Sequence, residues 1–261
     1  MIGGLGIVFF EPNRSQYDLN FRIFGIDVRV HPMFWLVSLF MGWSALDQGF
    51  KYLFVWVACV FISVLIHELG HVFAGKLFGS HGHIVLYSFG GLAIGSSALR
   101  NRWQRIAVYF AGPLAGFILF GLVWWWKSNV DPQALSPLLR SAIRDLFVIN
   151  LFWGAINLLP IWPLDGGQIS RDLMEWLHPA NGIRISLGIS IVAAGLIAFL
   201  ALVNTYSEEP IALVRTFPYL AFLYGGYMVV LFACLAFNSY QVLQIEGQRR
   251  PWDRDRDYWE R

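Results

Sequence analysis

His67, Glu68 and His71 stand in the run His67-Glu68-Leu69-Gly70-His71, directly after fifteen uncharged residues, YLFVWVACVFISVLI, at 52–66. If the helical pattern of that stretch continues, His67 and His71 share one face at roughly 6 Å and can grip a single metal ion. Glu68 falls one position along, within reach of a water on that ion. A histidine pair plus a general base is the pattern of a zinc hydrolase. The same three fixed residues also recur by chance in soluble chains. An apolar setting weakens that account, because a buried, unpaired carboxylate is expensive and ionisable residues at membrane depth mark function by default. A structural pairing of these residues with polar groups on other helices is the alternative.

Two histidines do not complete a catalytic zinc site, which has three protein ligands and an open position for water. The candidate third ligand lies far along the chain, in Asn157-Leu158-Leu159-Pro160-Ile161-Trp162-Pro163-Leu164-Asp165-Gly166-Gly167. Taken alone, Asp165 reads as a turn residue capping the helix GQISRDLMEWL. Taken with HELGH at matched membrane depth, it reads as a carboxylate ligand. Asn157 offers an amide that can orient a substrate or stabilise a developing oxyanion; an interhelical hydrogen bond is the structural alternative.

The elements that must hold these groups are apolar. Of the 261 residues, 57% are hydrophobic and 14% charged, against about a quarter charged in soluble domains. An all-α polytopic membrane protein follows. The net charge of +2 gives no argument for nucleic acid. Cys59 and Cys234 both sit in apolar stretches and read as buried thiols rather than a disulfide or a zinc pair. The first residues show no basic segment ahead of an apolar core, so no cleavable leader is expected. Uncharged runs at 30–46, 52–75, 106–126, 146–164, 185–203 and 216–245 predict about six spans.

With that topology, Lys and Arg concentrate on the side holding the N-terminal segment, the loops with Lys76 to Arg105 and Arg171 to Arg184, and the tail. The opposite side carries Lys51, Lys127, Arg140, Arg144 and Arg215. By the positive-inside rule both termini are cytoplasmic. The second span then runs inward, and His67, about 22 Å along it from Tyr52, lies within the membrane toward the cytoplasmic face. Pro160 and Pro163 break the fourth span, which brings Asp165 to the same depth zone. The stretch His83–Gly95 predicts two short strands around Gly90-Gly91, an edge that can hold an extended peptide.

On HELGH at 67–71 and NLLPIWPLDGG at 157–167, the chain resembles the site-2 protease family of intramembrane zinc metalloproteases. The resemblance extends over roughly residues 55 to 170. Ser88-Phe89-Gly90-Gly91 is similar to that family's membrane-embedded hairpin, and Ala111-Gly112-Pro113 to its third-helix motif. The resemblance implies a three-helix catalytic core made by the second to fourth helices. It implies zinc held by His67, His71 and Asp165, Glu68 as the catalytic base, and Asn157 as an active-site group. It also implies a single-pass membrane-protein substrate, which enters from the lipid bilayer past the first and last spans.

The resulting expectation is a membrane-embedded metalloprotease domain over 1–245 with a short charged cytoplasmic tail at 246–261, in a bacterial-type inner membrane. No segment is long enough for a PDZ or CBS domain, so regulation by such a domain is expected to be absent or supplied by a partner chain. A membrane metal transporter would also use buried His, Glu and Asp, but it would spread several ligands along a path and commonly show inverted repeats. An inactive homologue acting as a binding protein is the other alternative.

Overall fold

A computed structural model describes residues 12–88, 90–207 and 226–248. These fall into two compact units that divide between Leu158 and Leu159.

The first unit begins with a sheet. Strand β1 (Leu19–Ile23) turns back on β2 (Ile26–Val30), and β3 (His83–Tyr87) turns back on β4 (Gly90–Ile94). The order is β1-β2-β3-β4, with β2 and β3 parallel and the outer pairs antiparallel. The β1–β2 turn places Phe24 at φ 50° and Gly25 at φ 73°, the doubly left-handed backbone of a tight hairpin turn. Alternation then sends Ile26, Val28 and Val30 inward, where all three are buried. They join Val64 and Val72 of the next long helix, together with Ile84 and Leu86 of β3, in one hydrophobic core.

Helix α1 (Pro32–Met41) starts on His31, whose Nδ1 accepts from the Met33 N–H at 3.2 Å. Its 10 residues reach about 15 Å, too short to cross a bilayer. The predicted first span at 30–46 is therefore split. Gly42 ends the helix where a side chain would collide with the Trp56 indole, and a 3-10 turn (Trp43–Gln48) follows.

Helices α2 (Phe50–Leu77), α3 (Arg102–Ser128) and α4 (Pro137–Asn157) pack pairwise against one another, as the three-helix core implied by the family resemblance requires. Gly70 lets α2 lie directly on the Ala111 carbonyl and Ala115 of α3. Asn150 of α4 donates to Ser63 Oγ of α2 at 2.9 Å, a structural bond across the core. The fourth helix begins earlier and ends earlier than the predicted 146–164. Ser136 caps its start, and Arg144, Asp145 and Ser141 form a polar cluster in its first half. It stops at Asn157, short of Pro160.

The second unit holds α5 (Asp165–Leu177), α6 (Gly182–Tyr206) and α7 (Gly226–Gln248). Helix α6 packs on both of the others. Gly182 permits the sharp return from α5, because a side chain there would strike the Met174 backbone. Of the last predicted span, residues 216–225 lie outside the described residues, as do residues 249–261 of the tail. The final helix continues past 245 to Gln248.

Among the described residues, four helices are long and apolar enough to cross a membrane: α2, α3, α6 and α7. Ile118, Leu122, Trp124 and Trp125 on α3, and Val192, Leu196 and Phe199 on α6, are large apolar side chains left exposed in the protein. Lipid is the solvent in which such faces are stable. The chain is an integral membrane protein of mostly helical fold.

Candidate metal centre

Helix α2 carries His67, Glu68 and His71, all buried. The i, i+4 spacing sets the two imidazole rings edge to face, with centroids 4.8 Å apart. Their Nε2 atoms lie 3.2 Å from each other. Nδ1 of His71 lies 2.7 Å from the Val108 carbonyl oxygen on α3. A carbonyl only accepts, so Nδ1 carries the proton and donates, which leaves the Nε2 lone pair directed toward His67. Two nitrogens bound to one tetrahedral zinc at about 2.05 Å would stand about 3.3 Å apart. The observed separation fits that spacing without rearrangement.

Close packing against glycine shapes the rest of the pocket. On α3, a side chain at Gly112 would overlap the imidazole of His71. On β4, a side chain at Gly91 would overlap the carboxylate arm of Glu68. Pro113 follows Gly112 inside the helix and cannot donate to the carbonyl one turn back, so the turn that faces His71 is locally loosened. The predicted hairpin is present, with Gly90 and Gly91 opening β4 rather than forming the turn. Asn157 is the last residue of α4 and is buried. Its Nδ2 donates to the Trp153 carbonyl at 2.9 Å, which uses one of the amide's two hydrogens.

In the second unit, Asp165 is the first residue of α5. Leu164 holds the N-cap position and no side chain caps the helix, so Asp165 is not the cap that the turn reading expects. The preceding segment is tightly held within its own unit. Ile161 is fully buried. The Trp162 N–H donates to Ser190 Oγ of α6 at 3.0 Å, and the Trp162 carbonyl accepts from Ser239 Oγ of α7 at 3.3 Å. Gly167 faces the Ile161 and Trp162 backbone so closely that no side chain would fit.

Sequence reasoning missed the roles that five of these residues play. Val108 acts through its backbone, which no residue type reveals. Gly91 and Gly112 were legible only as packing or turn residues. Ser190 and Ser239 had a visible signal, since each is a hydroxyl inside a long apolar run.

A helical membrane protein with a paired-histidine site and an adjacent carboxylate on one spanning helix is the class that these observations define. The sequence matches the model of peptidase family M50 over residues 55–130 and 133–203, and the chain belongs to that family. It is 32% identical over 159 residues to a zinc metalloprotease of Methanocaldococcus jannaschii, covering 59% of this chain and 44% of the relative. It is 33% identical over 187 residues to a putative zinc metalloprotease of Synechocystis, covering 66% and 48%. Stage IV sporulation protein FB of Bacillus subtilis is 31% identical over 147 residues, covering 55% and 46%. The chain thus spans about half the length of the curated relatives it matches. The fold is similar to that of the site-2 protease from Methanocaldococcus jannaschii, with a TM-score of 0.52 and 24% identity over 86% of this chain and 94% of that one.

Proposed function

We propose that this chain is an intramembrane zinc endopeptidase that hydrolyses a peptide bond in or near a transmembrane segment of a single-pass membrane protein. The observation that carries the reading is the His67–His71 pair, with Nε2 atoms 3.2 Å apart and the His71 tautomer fixed by Val108, beside a buried Glu68 on a spanning helix. Names of relatives in the same family support zinc as the metal.

His67, His71 and Asp165 would be the protein ligands. When bound there, zinc supplies a Lewis acid that polarises the scissile carbonyl and acidifies water. Glu68 accepts a proton from the attacking water and passes it to the leaving amine nitrogen, so that the carboxylate is regenerated. Val108 keeps the His71 proton on Nδ1 throughout, which preserves its metal-facing lone pair. Asn157 presents its amide to the substrate or its oxyanion. Strand β4 lies at one end of the sheet order and carries Gly91 beside Glu68, which suits an extended peptide added by main-chain hydrogen bonds. Unwinding of the substrate helix is required first, because water cannot attack a peptide bond enclosed in a helix.

The substrate enters laterally from the bilayer, water reaches the site from the cytoplasmic side, and both termini are cytoplasmic. The distribution of Lys and Arg supports that orientation. Residues 1–245 make the membrane-embedded protease domain, 246–261 form a cytoplasmic tail, and any regulatory domain would be supplied by a partner chain.

Quantitative mass spectrometry of membranes from cells carrying wild-type protein or Glu68→Gln tests the reading. A single-pass protein that accumulates only with Glu68→Gln, its cytoplasmic fragment missing, is the expected result. Identical membrane proteomes under several stress conditions would contradict it, and metal-flux assays would then test the transporter.

A further inference from the structure

Asp165 begins α5 immediately after a segment rich in proline, and that segment has few backbone hydrogen bonds of its own. Within it, the Ile161 N–H donates to Leu159 and the Leu164 N–H to Ile161, while Pro160 and Pro163 have no N–H to offer. What ties the segment down comes from α6 and α7. Ser190 Oγ accepts the Trp162 N–H at 3.0 Å and lies 3.2 Å from the Pro160 carbonyl, to which it can donate. Ser239 Oγ donates toward the Trp162 carbonyl at 3.3 Å. Both serines are fully buried within apolar helices, and each also lies within bonding distance of its own helix, at Ser186 and Leu235.

Both polar groups of the Trp162 backbone are therefore held by hydroxyls from two different helices, three residues before Asp165. The tie continues along the chain. The Leu164 N–H returns to Ile161, and the Gln168 N–H donates to Leu164 at 3.0 Å as the first bond of α5. Gly167 then seats α5 against Ile161 and Trp162. A shift of either serine moves the backbone from which Asp165 projects. Alanine in place of Ser190 would leave the half-buried Trp162 N–H without its partner, and the segment would move to find another.

We infer that Ser190 and Ser239 are positioning residues for Asp165, so that α6 and α7, which lie outside the three-helix core, set the affinity of the metal site. The inference rests on the proposal above that Asp165 is a zinc ligand. Groups that orient metal ligands change affinity by about 10- to 100-fold when removed.

The test is a chelator-competition titration of zinc on the full-length, detergent-purified chain. The variants are Ser190→Ala, Ser239→Ala, Asp165→Ala and the double variant Ser190→Ala/Asp165→Ala, each with a melting curve of the metal-free protein. Ser190→Ala is expected to weaken zinc binding by about tenfold, with Ser239→Ala acting in the same direction. In the Asp165→Ala background, Ser190→Ala is expected to change zinc affinity no further, while its effect on the metal-free melting curve is the same in both backgrounds. If Asp165→Ala weakens binding but neither serine variant does, the positioning role is overturned and the ligand assignment stands. An equal loss from Ser190→Ala in both backgrounds would also overturn it, because the effect would then not pass through Asp165. If Asp165→Ala binds zinc as tightly as wild type, both the ligand assignment and this inference fall. Should Ser190→Ala not fold, Ser239→Ala carries the same comparison.

Discussion

Nδ1 of His71 on α2 lies 2.7 Å from the carbonyl oxygen of Val108 on α3. That contact decides which nitrogen of the imidazole is protonated, and it does so with a backbone group that no side-chain substitution removes. The neighbouring glycine is the accessible handle. Gly112 faces the same ring with no space for a methyl group. Gly112→Ala should push His71 away from Val108, cost about 1–3 kcal/mol by overpacking, and weaken zinc binding. A zinc titration paired with a melting curve reads both effects. Unchanged zinc affinity would show that the α3 surface does not set the ring.

Gly91 plays the corresponding part for Glu68, the proposed base. Gly91→Ala should displace Glu68 while leaving His67 and His71 in place. The expected variant binds zinc as wild type does and loses about tenfold or more in peptide cleavage, since general-base contributions run to about 10²–10⁴-fold. Loss of zinc along with activity would mean that the strand supports the whole pocket.

Glu68→Gln removes the proposed proton acceptor and keeps the shape. Zinc content should stay at the wild-type level while cleavage falls by about 10²-fold or more. Retained cleavage would assign the base elsewhere.

HELGH, the hairpin at 83–94 and the membrane character were all legible in the sequence, because each is written in residue types at a fixed local spacing. Asp165 was legible as a candidate because prolines announce a broken helix. The β1–β2 hairpin was not read, although Ile26, Val28 and Val30 alternate inward beside the Phe24-Gly25 turn; Val30 opens the uncharged run taken as the first span, and the two residues before it in the alternation were left in the N-terminal segment. The predicted first span is instead the 10-residue helix α1, which ends where Gly42 lies against the Trp56 indole, a contact between residues distant in sequence. The ties from Ser190 and Ser239 to Trp162 join residues 28 and 77 positions apart, and local spacing carries no trace of such pairs.

Asn150 separates packing from chemistry. It is buried, and its Nδ2 donates to Ser63 Oγ and to the Leu146 carbonyl. Asn150→Ala should lower stability by about 1 kcal/mol, in the range of interhelical hydrogen bonds in membrane proteins, with zinc affinity unchanged. Denaturation in mixed micelles reads the first and a zinc titration the second. A selective loss of zinc would place Asn150 in the site.

Asp18 gives an acid-sensitive tie outside the spans. Burial raises its carboxyl pKa, but the Ser15 N–H and the Arg29 guanidinium, each 3.1 Å from Oδ2, outweigh that and hold it below the usual carboxylate value. A depressed folded pKa adds stability that is complete above the unfolded value, about 3.9, and fades as pH falls through the lower folded value. Asp18→Asn should therefore melt below wild type at neutral pH, and the difference should shrink once the pH drops under about 4. A gap that stays constant down to pH ~3 would show that charge on Asp18 contributes nothing.

Zinc stoichiometry and zinc-edge X-ray absorption of the purified chain, compared with His71→Ala and Asp165→Ala, test the central claim most directly. The proposed centre predicts one zinc per chain, a first shell of nitrogen and oxygen at about 2.0–2.2 Å with no sulfur, and a clear loss of zinc in both variants. Zinc well below one per chain, a sulfur ligand, or full retention in either variant would contradict it.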